Sequence, residues 1–104
     1  MFGFWMKSLG MTKMYTESVK LTFRIPHASS LKDKRQIRRS LTDKVRHKFN
    51  ASVAEVGTQD LHQVLTIGIA VVSGDFAHAA QSLDEIIRFM EVNTDAELTE
   101  AEYL

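Results

Sequence analysis

The sequence predicts an α+β fold with its elements in the order β-α-β-β-α-β, and three observations carry that expectation. Residues Ser18 to Pro26 alternate apolar and polar, as a half-buried strand does. Two stretches, Ser30 to Phe49 and Phe76 to Val92, repeat their apolar residues at helical spacing. β-Branched runs between the helices, and a poorly alternating stretch after the second, supply the remaining strands.

In the first strand Val19, Leu21, Phe23 and Ile25 face one way, and Lys20, Thr22 and Arg24 the other. Pro26 cannot donate to a ladder and ends it. After the His27–Ser30 loop, Ser30 reads as an N-cap with Asp33 in a capping-box position. Ile37, Leu41, Val45 and Phe49 recur every four positions and form one buried stripe, and Asn50 closes the helix. Ala51 to Val56 reads as the second strand and polar Gly57 to Gln63 as a connection. Val64 to Val72 is apolar and β-branched enough for a central strand. Ser73 or Asp75 caps the next helix, in which Phe76, Ala79, Ala80, Leu83, Ile86, Ile87 and Met90 keep the spacing to about Val92. Asn93 to Asp95 turns the chain into a last strand, Ala96 to Leu104, whose alternation is poor. Two strand-helix-strand units with a short middle link define a ferredoxin-like sandwich. The expectation is a four-stranded antiparallel sheet with both helices on one face.

The 104 residues fit one domain, placed at residues 14–104. Residues 1–13 read as an N-terminal extension. Its apolar Phe2, Phe4, Trp5 and Met6 precede its first lysine, Lys7, the wrong order for a signal peptide. An over-called translation start is the expected reading of it, and a membrane-surface anchor is the sharper alternative. Cysteine is absent, which excludes disulfides and thiolate metal sites and fits a cytoplasmic protein. No apolar run approaches the roughly 20 residues that span a bilayer, so no membrane partner is expected.

Thirteen Lys/Arg balance 13 Asp/Glu, but the balance hides a dipole. Lys32 to Lys48 holds eight basic and two acidic residues, whereas Gln81 to Leu104 holds seven acidic and one basic. At about 100° per residue, Lys32, Arg35, Arg39 and Arg46 fall within roughly 60° of each other, away from the apolar stripe. Such a row matches phosphates spaced along a nucleic-acid backbone, and the arginine fork pairs with phosphate oxygens. Lys34 and Arg38 lie on the apolar side by angle; they either snorkel past the sheet edge or line a surface beside the His27–Ser30 loop. The plainer reading is a solvated helix face that balances the acidic half of the chain.

On the open face of the sheet the third strand presents Thr66, Gly68, Ala70 and Val72. An RNA-recognition motif stacks bases on aromatics there, and these residues are small. Burial against a second subunit fits them better, so a homodimer through the sheet is expected.

Catalytic patterns are missing from the sequence. His27, His47, His62 and His78 have no metal-site spacing, and Gly57, Gly68 and Gly74 are too scattered for a phosphate loop. The Pro26–Ser30 loop lacks the arginine-bearing glycine turn of acylphosphatases, which share the fold. Gln59, Asp60 and His62 form a polar cluster, for which a hydrogen-bonded turn is favoured over acid–base work. No catalytic residue, metal or cofactor is assigned.

The segment Ser29-Ser30-Leu31-Lys32-Asp33-Lys34-Arg35 resembles the Ser-Leu-Lys-x-Lys-Arg signature of the YlxP-like family of uncharacterised bacterial proteins. Ser52–Val56, Gln59-Asp60-Leu61 and Val71-Val72-Ser73 resemble further short motifs of that family in the right order, so the likeness covers about residues 15 to 104. His62 departs from it, since the family often has tryptophan there. The resemblance implies a ferredoxin-like fold and no established catalytic activity. The family's gene often lies between those of a translation initiation factor and ribosome-binding factor A, which implies a role near ribosome assembly or translation.

The leading expectation is therefore a small non-catalytic protein that binds RNA or a ribosomal subunit. Lys32, Lys34, Arg35, Arg38, Arg39 and Arg46 would supply its phosphate contacts. The alternatives are a protein-interaction module with an acidic partner, and a homodimeric small-molecule sensor using the Gln59–Gln63 connection.

Overall fold

The computed structural model describes residues 12–104. Its elements are β1 (Tyr15–Arg24), α1 (Leu31–Lys48), β2 (Ser52–Glu55), β3 (Val64–Ser73), α2 (Phe76–Val92) and β4 (Glu97–Tyr103). The four strands form one antiparallel sheet in the order β2-β3-β1-β4, and the chain has the expected ferredoxin-like α+β architecture. The expected extension over residues 1–13 lies, for residues 1–11, outside the described residues.

The alternation in β1 and β3 decides which face is covered. Val19, Leu21 and Phe23 pair with Ile69, Ile67 and Leu65, and all six are buried. Leu41 and Val45 of α1 and Ala79, Leu83, Ile86, Ile87 and Met90 of α2 pack onto this face as one core. Phe49 and Phe89 close the gap between the helices edge to face, ring centroids 5.4 Å apart. Lys48 Nζ stands 4.8 Å from the Phe89 centroid and covers that pair with a cation.

Three local details differ from the sequence expectation. β1 begins at Tyr15 rather than Ser18, because Tyr15, Thr16 and Glu17 pair with Ser73, Val72 and Val71. Ser30 caps α1 as expected by accepting from Asp33 N–H at 3.1 Å. The Asp33 carboxylate, however, takes bonds from the hydroxyl and N–H of Ser29 at 2.6 and 3.0 Å, one residue earlier than a capping box requires. The Ser29 hydroxyl above all, and then its N–H, hold the Asp33 carboxyl below its ordinary value. Finally, α1 stops on Phe49, whose N–H bonds Val45 O, rather than on Asn50.

β4 shows why its alternation is poor. It is an edge strand held to β1 by main-chain pairing, and only Leu98 and its neighbour Ala96 reach the core. Its outward carboxylates Glu100 and Glu102 lie beside Thr22 and Lys20, with Lys20 Nζ 3.3 Å from Glu102. Charges on an exposed edge discourage pairing with another sheet. Tyr103 fastens the end of the strand by donating to Asp84 of α2 at 3.3 Å.

Candidate functional site

Eighteen residues of α1 carry the basic face. Lys32, Arg35 and Arg39 are exposed, and none forms an ion pair among the described residues. Arg46 continues the row one side-chain length from β2. Its Nη2 donates to Val53 O at 2.6 Å, and its Nη1 is 3.6 Å from exposed Asp43. At 1.5 Å per residue the row from Lys32 to Arg46 is about 21 Å long. It is straight, because one helix carries it.

Lys34 corrects the sequence reading. It was expected among the phosphate contacts, yet its side chain is 1% exposed and it neither snorkels nor faces the His27–Ser30 loop. The reason is angular: Lys34 lies one turn before Arg38 and two turns before Leu41, inside the arc that faces the sheet. There its ammonium meets three acceptors. Glu55 Oε2 is 2.6 Å away, Leu61 O is 2.5 Å away, and Thr58 O completes the set. An ammonium has three donors, so all are used.

The partner carboxylate is equally occupied. Glu55, 5% exposed, takes Lys34, the Thr58 hydroxyl at 3.1 Å and Arg38 Nη1 at 3.4 Å. Thr58 Oγ1 in turn accepts from Thr66 N–H at 2.9 Å. Four elements therefore meet in one satisfied network: α1, the end of β2, the connection and β3. A buried charge is tolerable only when paired and hydrogen-bonded in this way. Among the described residues no buried side-chain nitrogen or oxygen lacks a partner. Arg38, 30% exposed, keeps one edge for solvent and is tied to Glu55 by the other.

This network also shapes the connection from Val56 to Gln63. Gly57 turns it with a φ of 77°, a conformation that favours glycine. Leu61 N–H bonds Thr58 O at 3.1 Å, which makes a turn, and Gln63 bonds Pro26 O and Ala28 O at 3.2 and 3.3 Å. Gln59 donates to Glu55 O at 3.2 Å, while Asp60 and His62 are exposed. Nothing arranges Asp60 and His62 against a common reacting atom.

Sequence reasoning missed Glu55 and Thr58. The signal was partial: a lysine inside an apolar arc either reaches water along its stem or needs a buried carboxylate, and Glu55 ends the strand next to that helix.

Two cavities mark the open face of the sheet. One, of about 330 Å³, is polar and includes Lys20, Thr22, Thr66, Glu100 and Glu102. The other, of about 390 Å³, is apolar and lies over Ala54, Val56, Gly68, Ala70 and Leu104. Val56 rests on Gly68, where an added Cβ would meet it at 3.4 Å. A groove of about 490 Å³ runs between α1 and β2, lined by Arg38, Arg39, Arg46, Ala54, Glu55 and Gln59 among others. Among the described residues no helix is long and apolar enough to cross a membrane, and no three His, Asp or Glu residues are placed to hold a metal ion.

Two comparisons place this geometry among known sequences. Residues 17–103 match a family described as "Protein of unknown function (DUF503)". The chain is also similar to the "Uncharacterized protein YlxP" of Bacillus subtilis (strain 168). The two are 35% identical over 72 residues, which cover 69% of this chain and 78% of that protein.

Proposed function

The chain belongs to the family described as "Protein of unknown function (DUF503)", and on that premise we propose that it is a small RNA-binding protein of the cytoplasm. It docks on ribosomal RNA or a ribosomal subunit through α1. The observation that supports this reading is the exposed row Lys32, Arg35, Arg39 and Arg46 on one rigid helix. The contacts are to phosphates, so they set position and orientation without reading sequence. Structured RNA recognised by shape is the partner that such a surface fits. Lys34 contributes from beneath by fixing the helix start, and Arg38 by its one free edge.

Sedimentation of a cell lysate through a sucrose gradient tests this directly. The protein should travel with a ribosomal subunit at low salt and return to the top at high salt, since phosphate contacts release counterions. A protein that remains at the top in both conditions contradicts the ribosomal reading.

A homodimer through the open sheet face is part of the same proposal. Ala54, Gly68 and Ala70 leave a shallow apolar strip there, next to the exposed Val72. Small side chains let two sheets approach closely. Sedimentation equilibrium should give twice the mass of one chain, and Ala70→Glu should return it to one. A wild-type protein that stays monomeric at every concentration tested removes the dimer.

A further inference from the structure

We infer that the groove between α1 and the free edge of β2 is where the RNA strand itself lies. Its phosphodiester backbone is gripped by Arg39 and Arg46 on one wall and by the Gln59 amide on the other. This rests on the reading of α1 as the RNA-binding face. It adds the path of the strand, and it adds an uncharged residue that a helix-only contact would not involve.

The first support is how charge is divided inside the groove. Glu55 lines it, but that carboxylate is 5% exposed and already takes Lys34, Arg38 and Thr58. Its charge is therefore cancelled within the network. Arg39 faces the groove with no ion-pair partner among the described residues. The Arg46–Asp43 pair is long at 3.6 Å and exposed on both sides, which makes it weak. Asp43 also lines the groove, so Arg39 and Arg46 against Asp43 leave it one net positive charge where a ligand would enter.

The second support is what the β2 edge refuses. A free edge ordinarily invites an extended peptide to add as another strand. Here the outward carbonyl of Val53 takes Arg46 Nη2, and that of Glu55 takes Gln59 Nε2. With those carbonyls taken, an acidic peptide would have to compete with Arg46 and Gln59 to pair along this edge. What remains on offer is side-chain donors: a guanidinium carries five N–H groups and a primary amide two, so Arg46 and Gln59 keep donors to spare. Such a lining suits a chain of anionic oxygens. None of the groove-lining residues is aromatic, so bases are not stacked and the grip does not depend on sequence.

The test uses the full chain and fluorescence anisotropy with labelled ribosomal RNA as the probe. Gln59 is exposed and its side chain makes one hydrogen bond, so its variants keep the fold. Gln59→Glu should weaken binding by roughly tenfold through repulsion across a few ångströms of partly hydrated groove. Gln59→Lys should strengthen it by a similar factor, which a folding defect does not do. If both leave the affinity unchanged while Arg39→Gln weakens it, the strand lies on the outer helix face; the groove proposal is overturned and the RNA-binding reading stands. If Arg35→Gln, Arg39→Gln and Arg46→Gln also change nothing, the RNA-binding reading falls with it. If polyglutamate binds with this dependence on residue 59 and ribosomal RNA does not bind, the groove takes an acidic protein segment and the proposal is likewise overturned.

Discussion

Lys34→Met is expected to lower the unfolding free energy by about 3–5 kcal/mol, the cost of breaking a buried ion pair from one side. Methionine fills a similar volume, so packing is largely kept and the change isolates the charge. Glu55 is then left 5% exposed with only Arg38 at 3.4 Å and the Thr58 hydroxyl. The carbonyls of Thr58 and Leu61 lose their donor as well. For a domain whose whole stability is about 5–15 kcal/mol, this is a large fraction. With urea slopes of ~1–3 kcal/mol per molar, the midpoint should fall by about 2 M.

Two companion variants give the result its meaning. Lys32→Met, two residues away but exposed, should stay within about 0.5 kcal/mol of the wild type. The double variant Lys34→Met with Glu55→Leu should recover part of the loss, because no buried charge is then left alone. Amides between Gly57 and Gln63 should exchange faster in Lys34→Met, since the network is what holds that connection. A Lys34→Met protein as stable as the wild type would show that Lys34 reaches solvent, and would return it to the cationic row.

Reversing Arg35 and Arg39 to glutamate is expected to lower affinity for ribosomal RNA on the order of a thousandfold at low salt. Two charge-assisted contacts are lost, each worth about 1.5–3 kcal/mol. The slope of log affinity against log salt should shrink by about 1.4–1.8, since each phosphate contact contributes roughly 0.7–0.9. Both side chains are exposed and without ion-pair partners among the described residues, so the fold is unaffected and circular dichroism should match the wild type. The salt slope separates this outcome from a general loss of protein. An unchanged affinity and slope in a folded double variant would leave α1 a solvated face that balances the acidic second half of the chain.

The candidate site was legible in the sequence to different depths. Lys32, Arg35, Arg39 and Arg46 followed from counting 100° per residue, because their angles lie far from the apolar stripe. Arg38 followed only by half, since its angle places it at the border of the apolar arc and Glu55 decides which way it leans. Lys34 did not follow. Its angle pointed inward, and whether an inward lysine escapes to water or stays depends on what waits for it. Glu55 lies 21 positions along the chain, and Thr58 and Leu61 lie further.

The same division runs through the whole molecule. Alternation in β1 and β3 and helical spacing in α1 and α2 are local properties, so the element order and the face that each of these four buries can be read from the sequence. It also determined that one helix is basic, since composition along a single element needs no partner to be read. Folding set β4 beside β1 with its carboxylates outward, because main-chain pairing holds that strand and leaves little side-chain pattern. It alone decided that Arg46 closes the β2 edge and that Lys34 is spent inside the protein. The physical reason is that a charge has no preferred neighbour until folding brings acceptors within about 3 Å and removes the water that would otherwise serve them.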